Sequence, residues 1–540
     1  MFSQSKDQFA AFVEAEFART GAKRAVAPLV VRLLSDQLTP VLAYRRLVAP
    51  DERTATSFLL ESVEGGERQG RHSMLGARPA IEFVARGHAV RIRRRDEHEG
   101  QAFQADDPLD ELRRCTSDLA FFKPPEMTLP GAMIGGWAGF ASYDTVRYAE
   151  PEKLNTDEAP PDDRHLPDLH FGFYDQLAVF DHAEKVVNAI RLIEVASDSD
   201  VGAAYDAGAA ELQKFVDELQ THSKPLRSGV VTAPDSSVVM DSNLTQEQHA
   251  AMVARAQEYI RAGDIFQVVL GQRFEKRSEV DPFDVYRALR AVNHSPYMVY
   301  MQGEGCILVA SSPEILCRVR RDRERDTLAV TNRPLAGTRK RGADAEEDAA
   351  LERELLADEK ERAEHIMLVD LGRNDVGQVA QPASVQLTSV MDIERYSHVM
   401  HISSTVKGEL RPGKDCWDAL RATLPVGTIS GAPKIRAMQI IDELEPVRRG
   451  PYGGGMGYAS VDGEMDIALA LRTIVVPTAL FDGRHWTYHI QAAGGIVADS
   501  DPKAEFQETV NKAAALARAI ELAESAFMSG SGVSFEADGA

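Results

Sequence analysis

Polar residues interrupt apolar patterns at several places in the second half of the chain, and chemistry is best sought there. In EKERAEHIMLVDLGRND (Glu359–Asp375), read as a helix, Glu364 heads a stripe with Met367, Leu368 and Leu371. A carboxylate on an apolar stripe risks desolvation, which costs several kcal/mol unless a partner or a metal offsets it. Gln267 stands in the run Ile265–Leu270 and would share a strand face with Ile265 and Val269. Its amide serves either a buried backbone contact or a site. His401, in HVMHISS, alternates with Val399 and Ser403; a strand histidine is either a packing group or a proton carrier. Arg472 is a cation in the apolar run IALALRTIVVP. Its stem can snorkel, and its fork can also take a carboxylate bidentately.

The stretch QAAGGIVADSDPKAEFQETVNKA is richer. Gly494 and Gly495 follow strand-like residues and would let backbone amides approach an anion. Glu505, Glu508 and Lys512 share one face of the closing helix. Glu508 and Lys512 form an ordinary i,i+4 pair on one reading. On the other, Glu508 joins Glu364 around a hard divalent cation, and two carboxylates plus a substrate anion suit Mg²⁺. GPYGGGMGYASVDGEMD reads as a glycine-rich hairpin carrying Tyr452, and PVGTISGAPKIRAMQIIDELE as turns leading into an amphipathic helix. The phosphate-cradling pattern GxxxxGK[ST] is absent, so nucleotide chemistry has no support.

These residues need a scaffold of strands and capped helices. Thr245 and Gln248 fit a capping box, Met252, Val253, Ala256, Tyr259 and Ile260 form a helix face, and Gly263 ends it. DIFQVVLGQRF, CILVASSPEILCRV, SHVMHISSTVKGEL, IALALRTIVVP and HWTYHIQAAGGIVA read as strands. Without strict strand–helix alternation, the fold class expected is α+β (mixed α/β), with large, mainly antiparallel sheets flanked by helices. The 540 residues exceed one ordinary domain. The expected organisation is an N-terminal region 1–222, a linker 223–240, a second region 241–528 and a flexible tail 529–540. A net charge of -22 disfavours nucleic acid and anionic membranes as partners. No apolar run approaches the roughly 20 residues of a membrane span. Four cysteines without a CxxC pair fit reduced thiols, and a cytoplasmic location is expected.

Taken together, SSPE, RPLAGTRKRG, AEHIMLVDLGRND, YSHVMHISSTVKGEL, GTISGAPKIRAM, GPYGGGMGY and GGIVADSDPKAEFQETVNKA occur in an order that resembles the chorismate-utilising enzymes, specifically the anthranilate synthase component I family. The resemblance covers the whole second half and, through FLLES and GGWAGFASYDTVRYAE, more loosely the first. It implies an Mg²⁺-dependent conversion of chorismate and ammonia to anthranilate and pyruvate, the first committed step of tryptophan biosynthesis. Glu364 and Glu508 match the metal ligands. Gly337, Thr338, Tyr452, Arg472, Ala493, Gly494 and Gly495 match substrate contacts, with alanine at 493 where glycine is usual. His401 matches the general acid/base, and near an ordinary pKa it would serve in either role. Three positions bear on the nucleophile. Gln267 replaces the lysine of members that add water. Ala336 replaces the lysine of members that form aminodeoxychorismate covalently. Thr428 fits the anthranilate-forming pattern. The resemblance also implies a separate glutamine amidotransferase subunit (component II) in a hetero-oligomer. It implies L-tryptophan as feedback inhibitor, bound near Ser62, Pro296, Tyr297 and Met298.

Overall fold

Among the described residues two large sheets organise the protein, one of 13 strands and one of 12. The structure is a computed structural model describing residues 2–61, 70–221, 226, 228–230, 240–293, 295–322, 324–396 and 399–528. Pairing is antiparallel almost throughout; Arg24–Leu34 beside Leu119–Phe121 is a parallel exception. The fold is therefore the expected mixed α/β with large antiparallel sheets. Both sheets draw on both ends of the sequence. Ser57–Glu61 pairs with Tyr297–Gly303 in the larger, and Gly136–Ala141 with Gly455–Ser460 in the smaller. The expected linker lies mostly, and the expected tail wholly, outside the described residues. No helix among the described residues is long and apolar enough to cross a membrane.

The helices follow local chemistry. Gln246–Ala262 has the expected capping box and ends at Gly263 with φ 85°. Glu359–Val379 starts on Asp358, whose carboxylate accepts from the amides of Lys360 and Glu361, and it buries His365, Leu368, Val369 and Val376. Pro502–Ala523 starts on Asp501 and buries Thr509, Ala513, Leu516 and Ile520.

Two runs expected as single strands instead break and change sheets. CILVASSPEILCRV gives Cys306–Ser312 in the larger sheet and Ile315–Asp322 in the smaller. IALALRTIVVP gives Met465–Leu469 in the smaller and Thr473–Pro477 in the larger. Both sheets are buried on both faces here, so apolar character continues through the switch and hides it. The two crossings lie side by side. The Ser311 amide donates to the Arg472 carbonyl at 3.1 Å, and the Leu469 amide to the Glu314 carbonyl at 3.0 Å. The Ser312 hydroxyl donates to the Leu469 carbonyl at 2.6 Å. Arg472 takes φ 46°, a left-handed conformation that a bulky residue keeps only where its surroundings enforce it.

Candidate active site

The paired crossings project Glu314 and Arg472 toward the strand Val399–Glu409 and the short helix Gly427–Ser430. Glu314 is 3% exposed. The Thr428 hydroxyl donates to its Oε1 at 2.8 Å. Burial pushes the Glu314 carboxyl up to about 8 and the charge of Glu394 adds to this, against the pull of Thr428, the Leu335 amide and Arg472. Sequence reading placed Glu314 in a motif and gave it no role. The proline before it, in a strand-like run, was the available signal.

His401 is buried opposite. Its Nδ1 lies 2.9 Å from the Gly337 carbonyl and 3.1 Å from the Thr338 hydroxyl. A carbonyl only accepts, so Nδ1 carries the proton and Nε2 keeps its lone pair. Nε2 is buried without a hydrogen-bond partner. Gly337 takes φ 63° inside a register shift between Ala336 and Arg339, which turns its carbonyl to the imidazole. Burial, then the charge of Arg472, lowers His401 to about 4. The expectation of an ordinary histidine able to act in either sense is therefore corrected. Burial thus favours His401 as an acceptor and favours the proton on Glu314.

The other wall is built of carboxylates on two helices. Gln267 Nε2 donates to Glu364 Oε1 at 2.9 Å, while Gln267 Oε1 is buried and unpartnered. Glu361, one turn before Glu364, is pushed up by burial and then by the Glu364 charge. Glu505 is likewise pushed up by burial and by Glu508, against a hydrogen bond from Ser500. Lys512 pairs with Glu508 at 2.6 Å and donates to the Ala493 carbonyl at 2.8 Å. Buried Tyr452 has its hydroxyl against the Ala493 amide.

Gly494 and Gly495 do not form a turn after the strand. They lie within Trp486–Ile496, paired with Leu270 and Val269, and neither needs a left-handed φ. A side chain at either position would displace a polar side-chain end that faces the site. A Cβ on Gly495 would stand 2.4 Å from Gln267 Nε2, and one on Gly494 would stand 2.9 Å from Glu505 Oε2. Among the described residues, no three or more His, Cys, Asp or Glu side chains close into a metal cage. A hard cation that keeps its waters and takes one or two carboxylates needs no cage. The like-charge pairs Glu361/Glu364 and Glu505/Glu508 flank Gly494–Gly495, and such a cation would relieve their repulsion. The donor set thus fits Mg²⁺.

Pro296, Tyr297 and Met298 lie elsewhere, on a cavity of about 270 Å³ that does not include His401, Arg472 or Glu364. Glu61, Arg318 and Asp466 also line it. The Tyr297 hydroxyl donates to Asp466 at 2.9 Å and accepts from Arg318 at 2.6 Å. Ser62 lies outside the described residues.

Residues 58–518 match the family model of the chorismate binding enzyme. The chain is 52% identical over 519 residues to anthranilate synthase alpha subunit 1, chloroplastic, of Arabidopsis thaliana, covering 93% of this chain and 86% of that protein. The chain belongs to the chorismate binding enzymes, in the anthranilate synthase component I family. Anthranilate synthase component 1 of Acetivibrio thermocellus is 41% identical over 92% of this chain and 95% of its own. The crystal structure of anthranilate synthase component I from Streptococcus pneumoniae superposes with a TM-score of 0.69 at 35% identity, covering 90% of this chain and 99% of that one. The menaquinone-specific isochorismate synthase of Escherichia coli shares the fold, with a TM-score of 0.65 at 19% identity over 95% of this chain and 100% of its own. As a family member the chain is an enzyme that converts chorismate, of the lyase type.

Proposed function

We propose that the chain is the large subunit of an anthranilate synthase. It converts chorismate and ammonia to anthranilate, pyruvate and water. Gln267 carries this reading. Its amide nitrogen is held by Glu364 and its oxygen is left buried and unpartnered. That oxygen can accept from an N–H nucleophile, and an amide cannot act as the base that would activate water. Ala336 supplies no nucleophile for a covalent route.

The residues divide the work. Arg472 and the backbone near Gly494 and Gly495 bind and orient the two substrate carboxylates, with Gly337, Thr338 and Tyr452 shaping the ring site. Glu364 and Glu508 would hold Mg²⁺, which supplies positive charge for the ring carboxylate. Ammonia adds at ring C2 while the C4 hydroxyl departs. Glu314, protonated and held by Thr428, gives that hydroxyl its proton, so it leaves as water. In the second step His401 Nε2 takes the C2 proton, the bond between ring C3 and the ether oxygen breaks as the ring becomes aromatic, and the departing enolpyruvate takes up a proton at its methylene carbon to leave as pyruvate.

Ammonia is supplied by a separate glutamine amidotransferase component II in a hetero-oligomer. L-Tryptophan is the feedback inhibitor, seated in the cavity beside Pro296, Tyr297 and Met298. Charged Glu61, Arg318 and Asp466 suit a zwitterion, and Tyr297 and Met298 suit an indole. All four cysteines are free thiols, which fits a reducing compartment: the cytoplasm or, as the plant relatives' names have it, a chloroplast.

The test mixes purified chain, chorismate, Mg²⁺ and ammonium at mildly alkaline pH, with and without tryptophan. Anthranilate fluorescence and pyruvate together, suppressed by tryptophan, are expected. Chorismate consumed without pyruvate would replace this reading with an aminodeoxy-(iso)chorismate synthase.

A further inference from the structure

The cavity and the catalytic pair share a wall one side chain thick. Pro313 and Ile315 line the cavity, while Glu314 between them faces Thr428. Arg333 and Leu335 line it too, and the Leu335 amide lies against the Glu314 carboxyl. Glu394 is the charged group common to both sides. It lines the cavity and forms an ion pair with Arg333. It accepts from the Tyr396 hydroxyl at 2.8 Å. The Tyr396 ring packs edge-on against the His401 imidazole at 5.6 Å. Across the ladder, Glu394 is the register partner of His401.

We propose that Glu394 is the positioning residue through which the cavity's occupant acts on Glu314 and His401. This rests on reading the cavity as the tryptophan site and deepens that reading. An occupant drawing Arg333 away, or pressing on Glu394, changes the charge beside Glu314 and the seat of Tyr396 on His401. The charged and titratable groups facing Glu314 are Glu394 and Arg472, with Thr428 and the Leu335 amide as neutral donors. Those facing Glu394 are Glu314, Arg333 and Tyr396, with His401 as its partner across the ladder. The carboxylate of Glu394 favours the proton on Glu314, so neutralising it loosens that proton.

The experiment compares wild type with Glu394→Gln. It measures L-tryptophan binding by calorimetry, tryptophan inhibition of turnover, and the pH dependence of kcat. The expected variant binds tryptophan within about threefold of wild type, yet inhibition per bound tryptophan weakens about fivefold or more, the lower end of ordinary allosteric coupling. Its alkaline kcat limb moves to lower pH, which a merely structural loss would not cause. Unchanged inhibition with an unmoved limb overturns the proposal. If tryptophan does not bind even wild type, the effector reading fails, and the limb alone then decides whether Glu394 positions the acid. Should Glu394→Gln fail to fold, Tyr396→Phe keeps the ring on His401 and removes only the hydroxyl. It is expected to weaken inhibition in the same direction, and unaltered inhibition there also overturns the proposal.

Discussion

The two walls of the site solve opposite problems. The crossover wall buries Glu314 and His401, with Thr428 and Arg472 half-buried beside them; Thr428 holds the carboxyl and the Gly337 carbonyl holds the imidazole. Burial there drives a carboxyl and an imidazole apart in proton affinity, to about 8 and about 4. The helical wall, with Glu361, Glu364, Glu505 and Glu508, is partly open, and the Glu508 side chain is 50% exposed. Glu508 keeps company with a lysine that a cation can displace, while Glu364 Oε1 accepts from the Gln267 amide. On the proposed reading, the same residue type is a proton donor on one wall and a metal ligand on the other. Environment, and not residue type, sets the role.

The sharpest break of this comparison is on the open wall. Glu364→Gln or Glu508→Gln should lower Mg²⁺-dependent turnover by about a hundredfold or more, as loss of a group stabilising developing charge does. Circular dichroism and thermal unfolding should stay near wild type. Near-normal turnover would remove the metal role from these glutamates.

On the buried wall, Glu314→Gln should cost about 10²–10⁴ in kcat, the usual worth of a general acid. The change should also act on stability in a pH-dependent way. The folded pKa of Glu314, about 8, lies above the ordinary 4.5. Its contribution is therefore present in full below about 4.5 and is lost as pH rises through about 8, where a buried carboxyl must ionise. Glutamine does not ionise, so the variant should gain stability relative to wild type on the alkaline side. Chemical denaturation on either side of that range checks this. A variant less stable at both would contradict it.

Thr428→Val is a finer cut. It removes one hydrogen bond, worth about 1 kcal/mol, or about fivefold in kcat. Because Thr428 favours the ionised form of Glu314, the alkaline limb of kcat should move to higher pH. A limb moving the other way would mean that Thr428 does not hold Glu314. Ala493→Gly should be smallest, about twofold or less in KM, since the Lys512 and Tyr452 contacts reach backbone atoms at 493. A larger change would show that the Ala493 methyl itself shapes the site.

The open wall was more legible in the sequence than the crossover wall: His401, Arg472 and Thr428 stood out as residues, but Glu314 and the crossings that bring them together did not. Helical spacing placed Glu364 on a stripe and put Glu505, Glu508 and Lys512 on one face, because helix periodicity survives to the surface. The capped helix ending at Gly263 was legible for the same reason. The sheet crossings were not, since Cys306–Asp322 and Met465–Pro477 are apolar on both sides of each switch. Pro313 and the arginine at 472 were the marks of the break. Missing it hid Glu314, and it also hid the His401 environment, which depends on Arg472 being brought to it. Gly494 and Gly495 looked like a turn because glycine more often marks a bend than room for a neighbour's side chain.

The most direct test of the division between the walls is an infrared titration of the protonated-carboxyl stretch in wild type and Glu314→Gln. A band in the wild type that persists through neutral pH, disappears near pH 8 and is missing from Glu314→Gln is the predicted result. A difference band that vanishes near the ordinary carboxylate range would show Glu314 ionised at working pH. That would contradict its role as the buried acid.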